Sequence, residues 1–147
     1  ANPRTICNYV YYDLPRSTML LTGRVLETME FHAAGRVCVV TMTRQMLDQC
    51  GAKPSESDGL VDFTMYTRGV LTGALVKEVD DNTSKVSLRS ADGINVANIA
   101  ATFGGGGHYN AAGATLSLPL DKARAKIITL LSEAMDQEAK GTDETGA

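Results

Sequence analysis

The segment with the most chemical potential is Phe103-Gly-Gly-Gly-Gly-His108-Tyr-Asn-Ala-Ala-Gly113. Four consecutive glycines lose more backbone entropy on ordering than other residues would. A fold carries that loss where a partner approaches bare backbone closely, or where the chain needs dihedrals open only to glycine. Successive N–H groups in such a turn converge on an anion, and a helix starting just after it adds a favourable dipole. The competing reading is a flexible loop between helix and strand. Two common glycine signatures do not fit. A dinucleotide fingerprint needs glycine where Tyr109 or Asn110 stands, and a P-loop needs lysine where His108 stands.

Arg89 lies on a predicted strand with Ser87 on the same face, while Val86 and Leu88 point to the core. A guanidinium beside a hydroxyl suits bidentate binding of phosphate. The plainer reading is a surface arginine on a half-exposed strand. Ser90 is a secondary candidate, and Tyr109 offers a ring on which a base can stack. Asn95 reads as a helix N-cap. Tyr9, Tyr11 and Tyr12 read as packing groups near the N-terminus. Cys7, Cys38 and Cys50 are odd in number, form no C-x-x-C and include one residue in an apolar V-C-V-V run. They read as reduced thiols, with Cys38 in the core. His32 and His108 do not fall at ligand spacing from them, so no zinc site is expected. His32 reads as structural or exposed.

The elements that must position these groups follow from periodicity. Leu21, Val25, Leu26 and Met29 predict a helix from Pro15 through about His32, ended by Gly35. Arg36–Met42 predicts a buried strand. A short helix from near Thr43 buries Met46, Leu47 and Cys50 and closes at Gly51. Lys53–Asp58 reads as a loop, and Gly59–Tyr66 as a short helix. Val70–Val79 and Lys85–Arg89 form a hairpin across Asp80–Thr83. Asn95 starts a helix burying Val96, Ile99, Ala100 and Phe103, which the glycine run stops. His108–Ala112 reads as a helical turn before a strand over Ala114–Leu118. Asp121 caps a last helix through Ile127, Leu130, Leu131, Ala134 and Met135, and Lys140–Ala147 reads as a frayed tail. The fold class is α/β, a mixed sheet covered by helices.

Composition narrows the function classes. The chain has 147 residues, 44% of them hydrophobic, 14 Gly and no Trp, which is ordinary for a globular domain. A net charge of −3 supplies no broad basic field. Any polyanion must be held locally by a few placed groups. No apolar run approaches the ~20 residues that span a bilayer, and no secretory signal is visible. No membrane association and a cytoplasmic setting are therefore expected. The start at Ala1 suggests a fragment or processed product.

The motif F-G-G-G-G-H-Y-N-A-A-G, preceded by S-L-R-S at Ser87–Ser90 and I-N-V-A-N-I-A at Ile94–Ala100, resembles the DHH-associated domain of DHH phosphoesterases. D-G-L-V at Asp58–Val61, R-G-V at Arg68–Val70 and Glu78 continue the match, and Asn8–Leu26 is similar to that family's interdomain connector. The resemblance is closest to the bacterial nano-RNase and pAp phosphatase branch, also called exopolyphosphatase-related. It implies a division into a connector over 1–34, a substrate-binding domain over 35–139 and a disordered tail over 140–147.

The resemblance further implies a two-domain enzyme. A DHH domain in cis would hold two divalent metals, usually manganese, that activate water for phosphoester hydrolysis. This chain has no D-H-H tripeptide and only two histidines. It is expected to hold no metal, to contain no catalytic residue and to be inactive alone. Its role would be to bind a short oligonucleotide or mononucleotide phosphate, with cyclic di-AMP a related substrate and a homodimer a possible state. The site residues implied are Arg89, His108, Gly104, Gly105, Gly106 and Gly107, with Ser87, Ser90 and Tyr109. Two other readings compete. One is a non-catalytic nucleic-acid-binding module like the glycine-rich C-terminal domain of alanyl-tRNA synthetases. The other is a purely structural or dimerisation domain.

Overall fold

The computed structural model describes residues 13–145. The expectations for Cys7, Tyr9, Tyr11 and Tyr12, and for the start of the connector, lie outside the described residues. Helix α1 (Arg16–Leu26) leads into strands β1 (Glu30–His32) and β2 (Val37–Met42), then helix α2 (Arg44–Cys50). Two 3-10 helices follow, Pro54–Ser57 and Leu60–Tyr66. Strands β3 (Thr72–Asp80) and β4 (Thr83–Ser90) precede helix α3 (Val96–Ala101), strands β5 (Gly106–His108) and β6 (Ala111–Leu116), and helix α4 (Leu120–Thr145). The six strands form one mixed sheet in the order β1-β2-β3-β4-β6-β5, with only β2 and β3 parallel.

Strand alternation gives the sheet two apolar faces. On one, Val37, Val39, Ala74, Val76, Val86 and Leu88 pack with Val96 and Ala100 of α3 and with Ala123, Ile127, Leu131 and Met135 of α4. On the other, Val40, Met42 and Leu75 pack with Leu21 and Val25 of α1, Leu47 of α2 and Leu60 and Val61 of the second 3-10 helix. That second layer covers the β2–β3 side of the sheet, its second 3-10 helix reaching the Arg89 end of β4, and among the described residues no helix covers the outward face of β6 and β5. Residues 16–32, expected to be a connector, are built into this layer and into the sheet edge.

Several elements differ from expectation. The first helix stops at Leu26, the Thr28 hydroxyl donating to the Val25 carbonyl and accepting from the Thr41 N–H, and Glu30–His32 turns back as a strand on β2. Ala33 and Ala34 make that reversal at φ 53° and 59°, a left-handed conformation alanine rarely takes. The β3–β4 turn is shorter than expected: Asp80 pairs with Thr83 across Asp81-Asn82, after a bulge between Glu78 and Asp80. Residues 54–57 are 3-10 helix rather than loop, and the short helix expected over 59–66 is a 3-10 helix over Leu60–Tyr66. His108–Ala112 is not a helical turn. It is the tip of the β5–β6 hairpin. Leu120 opens the last helix, so Asp121 sits inside its first turn, where a carboxylate favours the dipole. That helix continues to Thr145, past the expected start of the tail.

Two local features follow the residue chemistry closely. Thr43 caps α2 by accepting from the Met46 N–H at 3.1 Å, and Asn95 caps α3 by accepting from the Ala97 N–H at 3.0 Å. Cys38 is fully buried, and burial pushes its thiol up to about 11, so it is an inert core group.

Arg124 of α4 reaches Glu30 of β1, its Nε donating at 3.1 Å, and His32 lies 3.0 Å from the same carboxylate. Burial works against the charged form of Glu30. The hydrogen bonds from Arg124 and His32 outweigh it and hold the carboxyl below its ordinary 4.5. A carboxylate lowered in the folded state stabilises above its unfolded value, and that contribution is lost as pH falls through the folded one. Urea midpoints are therefore expected to drop on the acid side of 4.5, and Glu30→Gln to show a shallower drop.

Candidate functional site

Most of the candidate residues meet on the outward face of β4, β6 and β5. Register places Arg89 opposite Ala111, and Ala111 opposite His108. The next row runs from Ser87 through Gly113 to Gly106, and the one beyond from Lys85 to Thr115. All of these share one face, because register partners project to the same side. Arg89 and His108 thus stand two strand spacings apart, roughly 10 Å, across a floor of alanine and glycine. Such a floor admits a ligand between a cation and an imidazole.

Arg89 is held in place. Its Nε donates to Asp62 Oδ1 at 2.9 Å, and its Nη1 donates to the Leu88 carbonyl at 3.0 Å. Nη2 has no partner among the described residues, and the side chain is 30% exposed, so that end remains available to an anion. Asp62 reaches Arg89 because Gly73, the β3 partner of Arg89, leaves room for the second 3-10 helix. A Cβ at Gly73 would lie 1.9 Å from Thr64 Oγ1.

The four glycines do different work. Gly104 takes φ 76° and Gly107 φ 144°, both in the region that favours glycine. Gly105 lies against β6, where a Cβ would meet the Gly113 carbonyl oxygen at 2.2 Å. Gly106 has nothing within 4 Å of such a Cβ, which would project on the same face as Gly113 and, one strand further, Ser87. His108 and Tyr109 are exposed at the hairpin tip. The backbone of that tip is fixed from below, with the Val96 N–H donating to the Tyr109 carbonyl at 2.9 Å and the Ser90 N–H to that of Asn110 at 3.0 Å.

Ser90 does not join this face. It is 9% exposed on the core side, and its hydroxyl donates to the Ile94 carbonyl at 2.6 Å. Ser90→Ala would leave that buried carbonyl short of a donor. It is expected to lower stability by about 1–2 kcal/mol in urea unfolding. Ser87→Ala, whose hydroxyl has no partner among the described residues, is expected to stay within about 0.5 kcal/mol.

Asp62, Gly73, Lys77, Lys85 and Thr115 were not among the residues expected. Extending the alternation of Ser87 and Arg89 by one step identifies Lys85, but nothing local points to Asp62 or Gly73. Lys77, Lys85, Ser87, Phe103, Gly104 and Thr115 border an open cleft of about 410 Å³ beside the Arg89–His108 row. His32, by contrast, belongs to the Glu30 pair on the far edge.

Residues 35–138 match the DHHA1 domain. The chain belongs to the DHHA1 domain family. Over 122 residues it is 35% identical to the bifunctional oligoribonuclease and PAP phosphatase NrnA of Thermus thermophilus, covering 82% of this chain and 36% of that protein. It thus spans about a third of that relative's length. An exopolyphosphatase-related protein from Bacteroides fragilis superposes with a TM-score of 0.80 at 23% identity, over 93% of this chain and 39% of that one. The C-Ala domain of Aquifex aeolicus alanyl-tRNA synthetase superposes with a TM-score of 0.50 at 16% identity, over 67% of this chain and 89% of that one. These two likenesses show the fold. This DHHA1 domain is therefore an α/β sheet domain related to a phosphoesterase. Among the described residues, no helix is long and apolar enough to cross a membrane.

Proposed function

We propose that this DHHA1 domain holds the terminal nucleotide of a short oligonucleotide, or a small nucleotide such as pAp, for a DHH phosphoesterase domain in cis. The observation that carries the reading is the row Arg89–Ala111–His108 on the outward face of β4, β6 and β5. Arg89 supplies a fixed guanidinium for a phosphoryl group. His108 supplies a ring nitrogen to an oxygen of the same ligand, and Gly106 and Gly113 keep the floor low enough for close approach. Tyr109 beside them offers a ring for a base.

The hydrolytic step lies outside these residues. Among the described residues, no three His, Cys, Asp or Glu side chains gather where they could hold a metal ion. The described residues therefore do not fit the two-metal centre, and we assign the metals and the attacking water to the DHH domain. The contribution of this domain is binding and orientation, which fixes the phosphoester against the reacting centre.

The likeness to the C-Ala domain raises a second reading, a module that binds structured nucleic acid without catalysis. Equilibrium binding of pAp, a diribonucleotide and a folded RNA hairpin separates the two. The phosphoesterase reading predicts saturable binding of pAp and the dinucleotide that the hairpin does not exceed. Tight hairpin binding with none to pAp would replace it with the second reading.

A further inference from the structure

Helix α1 packs one face into the second core layer through Leu21 and Val25 and turns the other to solvent. Ser17 and Thr18 both donate to the Glu56 carboxylate, which fixes the helix on the domain. Its outward stripe is Arg16, Met19, Leu20, Gly23 and Glu27, with Met19 58% and Leu20 49% exposed. Three features of that stripe disfavour the helix as a lone element. Met19 and Leu20 leave apolar surface in water. Gly23 sits in the helix interior, where alanine is the better residue, although a Cβ there would meet nothing within 4 Å. Arg16 stands in the first turn and Glu27 at the C-cap, each at the end where the helix dipole opposes its charge. Neither forms an ion pair with a described residue.

One arrangement relieves all three. Arg16 and Glu27 are equidistant from a point between Leu21 and Thr22, and so are Leu20 and Gly23. A second α1 laid antiparallel about a twofold axis at that point sets Arg16 of each copy level with Glu27 of the other. Leu20 of each then lies level with Gly23 of the other, where the missing side chain lets the helices approach closely. Each charge gains an opposite charge and the favourable end of the other helix's dipole. We propose that this face of α1 is a self-complementary interface with a second copy of this chain. An 11-residue helix at ~1.5 Å per residue offers only about 16 Å of contact, so the association is weak, on the order of 100 µM.

Sedimentation equilibrium of the 147-residue chain, from about 10 µM to about 1 mM, tests the proposal. The average mass is expected to rise with concentration from 15.6 kDa toward twice that value. Arg16→Glu and Glu27→Arg each set like charges against each other at both ends of the pair, and each should weaken the dimer about three- to tenfold. Neither should lower the urea midpoint, because each new charge suits the dipole of its own helix. The double variant restores the pairing with its signs exchanged and should associate like the parent. Gly23→Leu should abolish association while the fold is kept. A chain that stays monomeric throughout overturns the proposal and leaves this face to a DHH domain in cis. A dimer indifferent to these substitutions, or one that the double variant does not restore, overturns it as well.

Discussion

Arg89→Ala is expected to weaken pAp binding by about ten- to a hundredfold, with little loss of stability. A hydrogen bond to a charged group contributes about 1.5–3 kcal/mol, and each 1.4 kcal/mol is a factor of ten. The same substitution removes the ion pair with Asp62, but that carboxylate is 48% exposed and regains water. Pairs of that exposure contribute only about 0–1 kcal/mol. Calorimetric titration beside a urea curve separates the two effects. Arg89→Lys should recover only part of the affinity. Lysine keeps the charge but loses the planar fork that donates to Asp62 with one edge and to phosphate with the other.

The second large effect is a contrast within the glycine run. Gly105→Ala sets a methyl 2.2 Å from the Gly113 carbonyl oxygen and 2.8 Å from Ala114 Cα. Both obstacles are backbone of β6, itself paired on both sides, so the strand cannot yield without losing its register. A loss of about 1–3 kcal/mol or more is expected, visible as a lower thermal midpoint. Gly106→Ala meets nothing within 4 Å and has no positive φ to violate. It should be neutral or stabilising by about 0.4–1 kcal/mol, because the unfolded chain loses freedom. Yet its methyl would stand on the face that carries Arg89 and His108, and pAp affinity should fall. A glycine kept where alanine would stabilise is explained by close approach of a ligand. Unchanged affinity in Gly106→Ala would remove that explanation.

How far the sequence revealed this site depends on the range of the interaction. Period-two alternation put Arg89 and Ser87 on one face with Val86 and Leu88 opposite, and the short range of capping made Asn95 legible. The β5 strand was not legible: Gly106–His108 has no β-branched residue, and it is a strand only because β6 supplies its partners. The 33–35 reversal misled for the opposite reason, since Met29 continues the helical spacing while two alanines in left-handed conformation turn the chain. Asp62 is 27 residues from the arginine it holds, and no local pattern encodes that contact. The cross-strand pairing of Lys77 with Lys85 beside the site depends on the bulge between Glu78 and Asp80, which sets the hairpin register.

The most direct measurement of the central claim is amide-shift mapping of the chain titrated with pAp. The account predicts shifts confined to residues 87–89 and 104–113, centred on the backbone between Arg89 and His108, and much reduced in Arg89→Ala. Shifts centred on the opposite side of the sheet, in the groove that Asn98 of α3 and Gln137 of α4 line, or shifts that persist in Arg89→Ala, would contradict it.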